Sequence, residues 1–132
     1  MITPARRRVL QKWIVLTLGV LLATAASAKP SNKWRIKCDH KADVAGVLVL
    51  RLTPEGQAAV DVTVDIPEGT HENNAARNIR KAIKSSSLGE RYKVELDDGE
   101  DVLIKRRSRQ PDIDLEILSN TAEGLSIKAH TE

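Results

Sequence analysis

Phenylalanine is absent from this 132-residue chain, and the aromatic complement is two tryptophans and one tyrosine. So few rings cannot build an extended stacking platform for single-stranded nucleic acid or for sugars. Cys38 is the only cysteine, so no disulfide can form within the chain, and stability must come from packing. Catalytic signatures are missing too: there is no G-x-S-x-G, H-E-x-x-H, phosphate loop or dinucleotide fingerprint. No H-x-x-x-H or C-x-x-C spacing gathers metal ligands locally. These gaps turn attention from catalysis towards binding, and no cofactor is expected.

The one long apolar run lies at the start. Arg6, Arg7, Arg8 and Lys12 precede the stretch from Trp13 to Ala23, and Ala26-Ser27-Ala28 follows. A positive cluster, a short apolar helix former and small residues, in that order, predict a secretory signal peptide over residues 1–28, cut after Ala28. An uncleaved anchor is the rival reading, but a membrane span needs about 20 predominantly apolar residues, and Thr24 and Ser27 end the run early. No stable span is therefore expected after cleavage. Position 29 is lysine, which removes the lipoprotein option. Arg6-Arg7-Arg8-Val9-Leu10 resembles a twin-arginine export signal, with Ala5 and Gln11 where Ser or Thr and Lys would stand. Export of an unfolded chain is the preferred route and the folded route stays open. The destination is the periplasm or the extracellular space of a bacterium.

Cleavage leaves 104 residues, enough for one domain with a modest core. The leader takes four basic residues and no acidic ones, so 17 Lys and Arg face 18 Asp and Glu in the remainder, a net charge of −1. Whole-chain basicity thus belongs to the targeting segment. Nucleic acid is not an expected partner, because that binding depends on cations neutralising phosphates.

Residues 29–33, with Pro30, Ser31 and Asn32, are expected to form a flexible start, and 34–132 a single α+β domain. Trp34, Ile36 and Cys38 alternate with Arg35, Lys37 and Asp39 as a first strand. Val44 to Leu52 is nearly continuously apolar, which predicts a strand covered on both faces. Ala58, Val60, Val62, Val64 and Ile66 alternate with polar residues, and the turn at Pro54 and Gly56 makes these two strands a hairpin. Thr70 is the expected N-cap of a helix over about 71–86, with Ala75, Ala76, Ile79, Ala82 and Ile83 as its buried stripe and Gly89 helping to end it. The last third reads as a meander: Tyr92 to Leu96, a turn at Asp97-Asp98-Gly99, Val102 and Ile104, then Ile113 to Ile117 and Leu125 to Ala129. The expected fold is α+β, one helix packed on a mainly antiparallel sheet of six to seven strands.

Several constellations carry chemistry. Cys38 and His40 are two apart and would share a strand face as two metal ligands, with His71 or His130 as a third, against an incidental strand-end pair. Cys38 could instead link two chains by a disulfide, against a buried inert thiol. Asp97, Asp98, Glu100 and Asp101 surround Gly99 and could attract calcium, although ordinary turn chemistry explains them and the spacing departs from D-x-D-x-D-G. Asp61 and Asp65 point alike, as do Asp112, Asp114 and Glu116; paired carboxylates can divide acid and base roles only in a cleft that separates their pKa values, so a solvated sheet face is preferred. Ser85-Ser86-Ser87 reads as a polar helix end. Arg77, Arg80, Lys81 and Lys84 recur at helical spacing, and Lys105, Arg106, Arg107 and Arg109 form a second dense group; together they could receive an acidic protein or an anionic envelope component.

From Ile66 to Ala129 the order Pro67-x-Gly69-Thr70, a short Ala-rich helix with Ile79-x-x-Ala82-Ile83, a strand opening with Tyr92 and a hairpin resembles a small module of phage tail and virion structural proteins. The resemblance implies a structural or interaction role and no catalytic residues. Virion assembly is cytoplasmic, so the leader limits it to architecture. The leading reading is a non-enzymatic exported domain that binds another macromolecule through the basic residues. The alternatives are a small exported enzyme or enzyme inhibitor using the carboxylate face, and a metal-handling protein using Cys38 and His40.

Overall fold

A computed structural model describes residues 29–132. The expected leader, with Ala26 and Ala28 at its cleavage motif, lies outside the described residues.

Seven strands and one helix follow in the order β1 (Lys33–His40), β2 (Gly46–Pro54), β3 (Val60–Ile66), α1 (Glu72–Ser85), β4 (Tyr92–Asp97), β5 (Asp101–Arg106), β6 (Ile113–Asn120) and β7 (Leu125–Thr131). Every strand pair is antiparallel. The strands divide into two sheets, β4-β5-β1-β7 and β3-β2-β6, where the sequence led to an expectation of one. The architecture is α+β, with α1 packed against β3 of the smaller sheet and against β1, β4 and β5 of the larger.

Alternation explains the core. Trp34, Ile36 and Cys38 turn inward from β1; Leu48, Leu50 and Leu52 from β2; Val62, Val64 and Ile66 from β3. Isoleucine and alanine at helical spacing put Ala75, Ala76, Ile79 and Ile83 against them. These residues form one cluster with Tyr92, Val102, Ile104, Ile113 and Leu115. Two polar atoms of the aromatic set are satisfied inside it: the Trp34 indole donates to the Ile113 carbonyl at 2.7 Å, and the Tyr92 hydroxyl to that of Pro111 at 2.7 Å.

Four expectations need correction. β2 is covered on one face only, since Val47 and Val49 are half-buried and Arg51 is exposed; the central strand of a three-stranded sheet shows its other face to solvent. The final third is not a meander: β4 and β5 form the expected hairpin, but β6 pairs with β2 and β7 with β1. β6 also carries an extra residue opposite the Val49 to Leu50 step, where Leu118 is left 38% exposed. His71, not Thr70, is the N-cap and makes no side-chain cap, and the Thr70 hydroxyl donates to the Pro67 carbonyl at 2.6 Å. Finally, pairing begins before Trp34: Ser31 and Ile113 exchange backbone bonds of 2.9 and 3.0 Å, and the Asn32 carbonyl accepts from the Arg106 amide at 2.8 Å.

Gly89 is required for a reason other than left-handed backbone. A Cβ there would stand 2.0 Å from the Lys84 carbonyl oxygen, so only glycine lets the loop pass this close to the end of α1.

Candidate functional site

The β5–β6 connection carries the densest positive charge. Its backbone folds back through a bond from the Gln110 amide to the Arg107 carbonyl at 3.2 Å, and Arg109 stands at φ 71°, a left-handed conformation uncommon for a side chain of this size. Beside it the β2–β3 turn is closed by the Gln57 amide on the Pro54 carbonyl at 2.9 Å. Arg91 ties the two together. Its Nε donates to Gln110 at 2.9 Å, an Nη to Gln57 at 2.6 Å, and its guanidinium lies 5.9 Å from the centre of the Tyr92 ring. Between these segments runs an open groove of about 750 Å³, lined by Glu55, Gln57 and the stretch from Arg106 to Pro111.

The four basic residues at this end do different jobs. Lys105 turns to the outward face of the larger sheet and pairs with Glu95, drawing the Glu95 carboxyl below its ordinary range. Arg106 pairs with Asp112 at 2.8 Å. Arg107 and Arg109 are exposed, and neither has an ion-pair partner among the described residues. Arg107 and Arg109, with Arg91 whose partners are neutral glutamines, are the cations here without an ion pair among the described residues, and Glu55 is an unpaired carboxylate on the same groove.

On α1, Arg77 bonds Asn74 at 3.2 Å, and Arg80, half-buried, donates to the Val94 carbonyl at 3.4 Å. Lys81 lines a second open groove with Thr63, Asp65 and Ser85, and Lys84 is exposed in the last helical turn. No hydrogen bond, ion pair or groove among the described residues joins the helix cations to those of the loop.

The carboxylates are gathered on the outward face of the smaller sheet. Arg51 stands opposite both Asp61 and Glu116. It grips Asp61 with two bonds of 2.8 and 3.0 Å, which hold the Asp61 carboxyl below its usual range. Asp114 differs: burial raises its carboxyl, the Glu116 charge adds to the rise, and its Oδ1 is buried without a partner. Asp112 is committed to Arg106.

Cys38 and His40 do not share an environment. Cys38 is fully buried, and burial together with nearby carboxylates, Asp101 first, pushes its thiol up to about 12. His40 is exposed at φ 71°, where the regular alternation of β1 ends. Among the described residues no group of three or more His, Cys, Asp or Glu is arranged to hold a metal. The seryl run is a helix end: the Ser85 hydroxyl donates to the Lys81 carbonyl, and that of Ser86 to Ile83 while accepting from the Leu88 amide.

Arg35 is the residue whose role the sequence conceals. Its guanidinium receives Asp97 at 2.8 Å, Asp101 at 2.6 Å and Glu132. Two of the carboxylates in the acidic hairpin, Asp97 and Asp101, are thus bound to a cation from another strand, while Asp98 and Gly99 supply positive φ for the turn. Asp101 is 6% exposed and its Oδ1 has no partner. Lys33 also reaches Glu132 at 2.7 Å, and the two cations pull that carboxyl down to about 2. Among the described residues no helix is long and apolar enough to cross a membrane. Compared with protein-family models and with curated proteins, the chain finds no match in either.

Proposed function

We propose that this chain is an exported, non-catalytic domain that binds an anionic macromolecule, an acidic protein or an anionic envelope component, along the groove beside the β5–β6 connection. The supporting observation is the pairing pattern: Arg107 and Arg109 are exposed without carboxylate partners, next to an Arg91 fixed by two glutamines. Arginines left unneutralised in a domain of near-zero net charge raise the local potential and attract a ligand of opposite sign. Their planar forks suit carboxylate, sulfate and phosphate groups. The cations of α1 offer a second, separate contact.

The test is retention on immobilised heparin and on polyglutamate. A chain carrying Arg107→Glu and Arg109→Glu is expected to elute at lower salt than the native chain, whereas Arg77→Glu with Lys84→Glu has the smaller effect. Equal elution of the native and loop-reversed chains on both matrices would refute the assignment.

The enzyme or inhibitor reading finds one supporting feature, the raised carboxyl of Asp114 beside Glu116 on a face that also bears Asp61. An acid poised in this way is a general-acid candidate only where a substrate can be enclosed. Hydrolytic activity lost in Asp114→Asn at unchanged stability would favour that reading over the binding domain.

A further inference from the structure

The junction between leader and fold is very short. Only Lys29 and Pro30 separate Ala28 from Ser31, a reach of about 7 Å when fully extended. Pro30 biases Lys29 towards extended backbone, which suits the entry of a peptidase substrate. The following residues are already committed. Ser31 exchanges two backbone bonds with Ile113, Asn32 accepts from Arg106, and the Lys33 carbonyl accepts from the Glu132 amide. Directly behind them Trp34, 3% exposed with its indole bonded to Ile113, anchors the strand in the core. Lengthening the accessible segment would therefore mean opening the start of β1 against a buried tryptophan.

We propose that the Ala28–Lys29 bond is cut before the domain folds, so that the chain crosses the membrane unfolded. The proposal rests on the export reading and deepens it by choosing between the two routes. In the cut, water adds across the peptide bond: the Ala28 carbonyl carbon takes the hydroxyl, and the Lys29 nitrogen takes the proton and leaves as the new amino terminus. In the folded protein the peptidase must bring its active site to within two residues of the sheet, and its access follows the population of chains frayed at Ser31.

The experiment uses the full-length precursor made by cell-free synthesis, with signal peptidase in detergent micelles added either at the start or after the chain has folded. A second precursor carries a Gly/Ser spacer of about six residues between Pro30 and Ser31, adding about 20 Å of reach. The native precursor is expected to be cut during synthesis and about tenfold or more slowly once folded. The spaced precursor is expected to be cut equally well on both schedules. If the folded native precursor is cut as fast as the folded spaced one, the proposal is overturned. If mapping finds no new terminus at Lys29 on either schedule, the export reading falls and takes the proposal with it.

Discussion

Arg35 and Cys38 belong to one strand and show the two fates of a side chain in an alternating pattern. Cys38, facing inward, was legible from its place between Ile36 and the strand end. Arg35 faces outward, where a charged residue reads as solvated, and its partners lie 62, 66 and 97 residues away. Nothing local in the sequence marks such a contact. The spacing of Asp97 and Asp101 around a turn places both on one face, but the same spacing serves a calcium loop. The network has a measurable signature at Glu132. Its carboxyl is held at about 2, against an ordinary value of 4.5, by Arg35 and Lys33. A depressed carboxyl stabilises the folded state fully above its unfolded value, and that contribution disappears as pH falls from about 4.5 through about 2. Glu132→Gln is thus expected to lower the urea midpoint at pH 6 and to match the native chain near pH 2. An equal difference at both pH values would show that Glu132 acts by packing instead.

At the scale of elements, period-two alternation marked strands such as β1, β3 and β4, a nearly continuous apolar run marked β2, and period 3.6 marked the helix, because burial of one face is a local property of the chain. Partners were legible only where a tight turn joins neighbours, as in the β2–β3 and β4–β5 hairpins. β6 and β7 show why the rest was hidden: alternation tells a strand which side to bury and says nothing of whom to pair with, so a meander and a split into two sheets have the same pattern. Helix capping was misread for a related reason. Thr70 has a good capping side chain, but the helix opens one residue later, with His71 at the cap position in extended backbone and without a side-chain bond, while the Thr70 hydroxyl donates to the Pro67 carbonyl. That vacancy predicts a gain. His71→Asp supplies an acceptor for the first-turn amides and a negative charge at the positive end of α1, and is expected to stabilise the protein by about 1 kcal/mol. Thermal melts at neutral pH check it, and an unchanged or lowered midpoint counts against the cap.

For the whole molecule, the candidate site was legible as a list of basic residues and not as a surface. The sequence could not show that Lys105 and Arg106 are neutralised by Glu95 and Asp112, nor that the helix and loop cations share no groove. One core cluster draws on both sheets and the helix, so the domain is expected to unfold as a unit. In a Trp13→Phe chain, Trp34 is the one remaining tryptophan, and loss of its buried emission should coincide with loss of helical circular dichroism in urea. Separate midpoints would mean that the two sheets melt independently. The position of β1 adds a matter of timing. This strand lies between β5 and β7, so the first of the described strands to be synthesised finds both its neighbours among the later ones. Trp34 and Ile36 wait for residues of β5 and β7 that are not yet made when β1 emerges. A nascent chain arranged in this way cannot complete the hydrogen bonds of β1 until both β5 and β7 have been made.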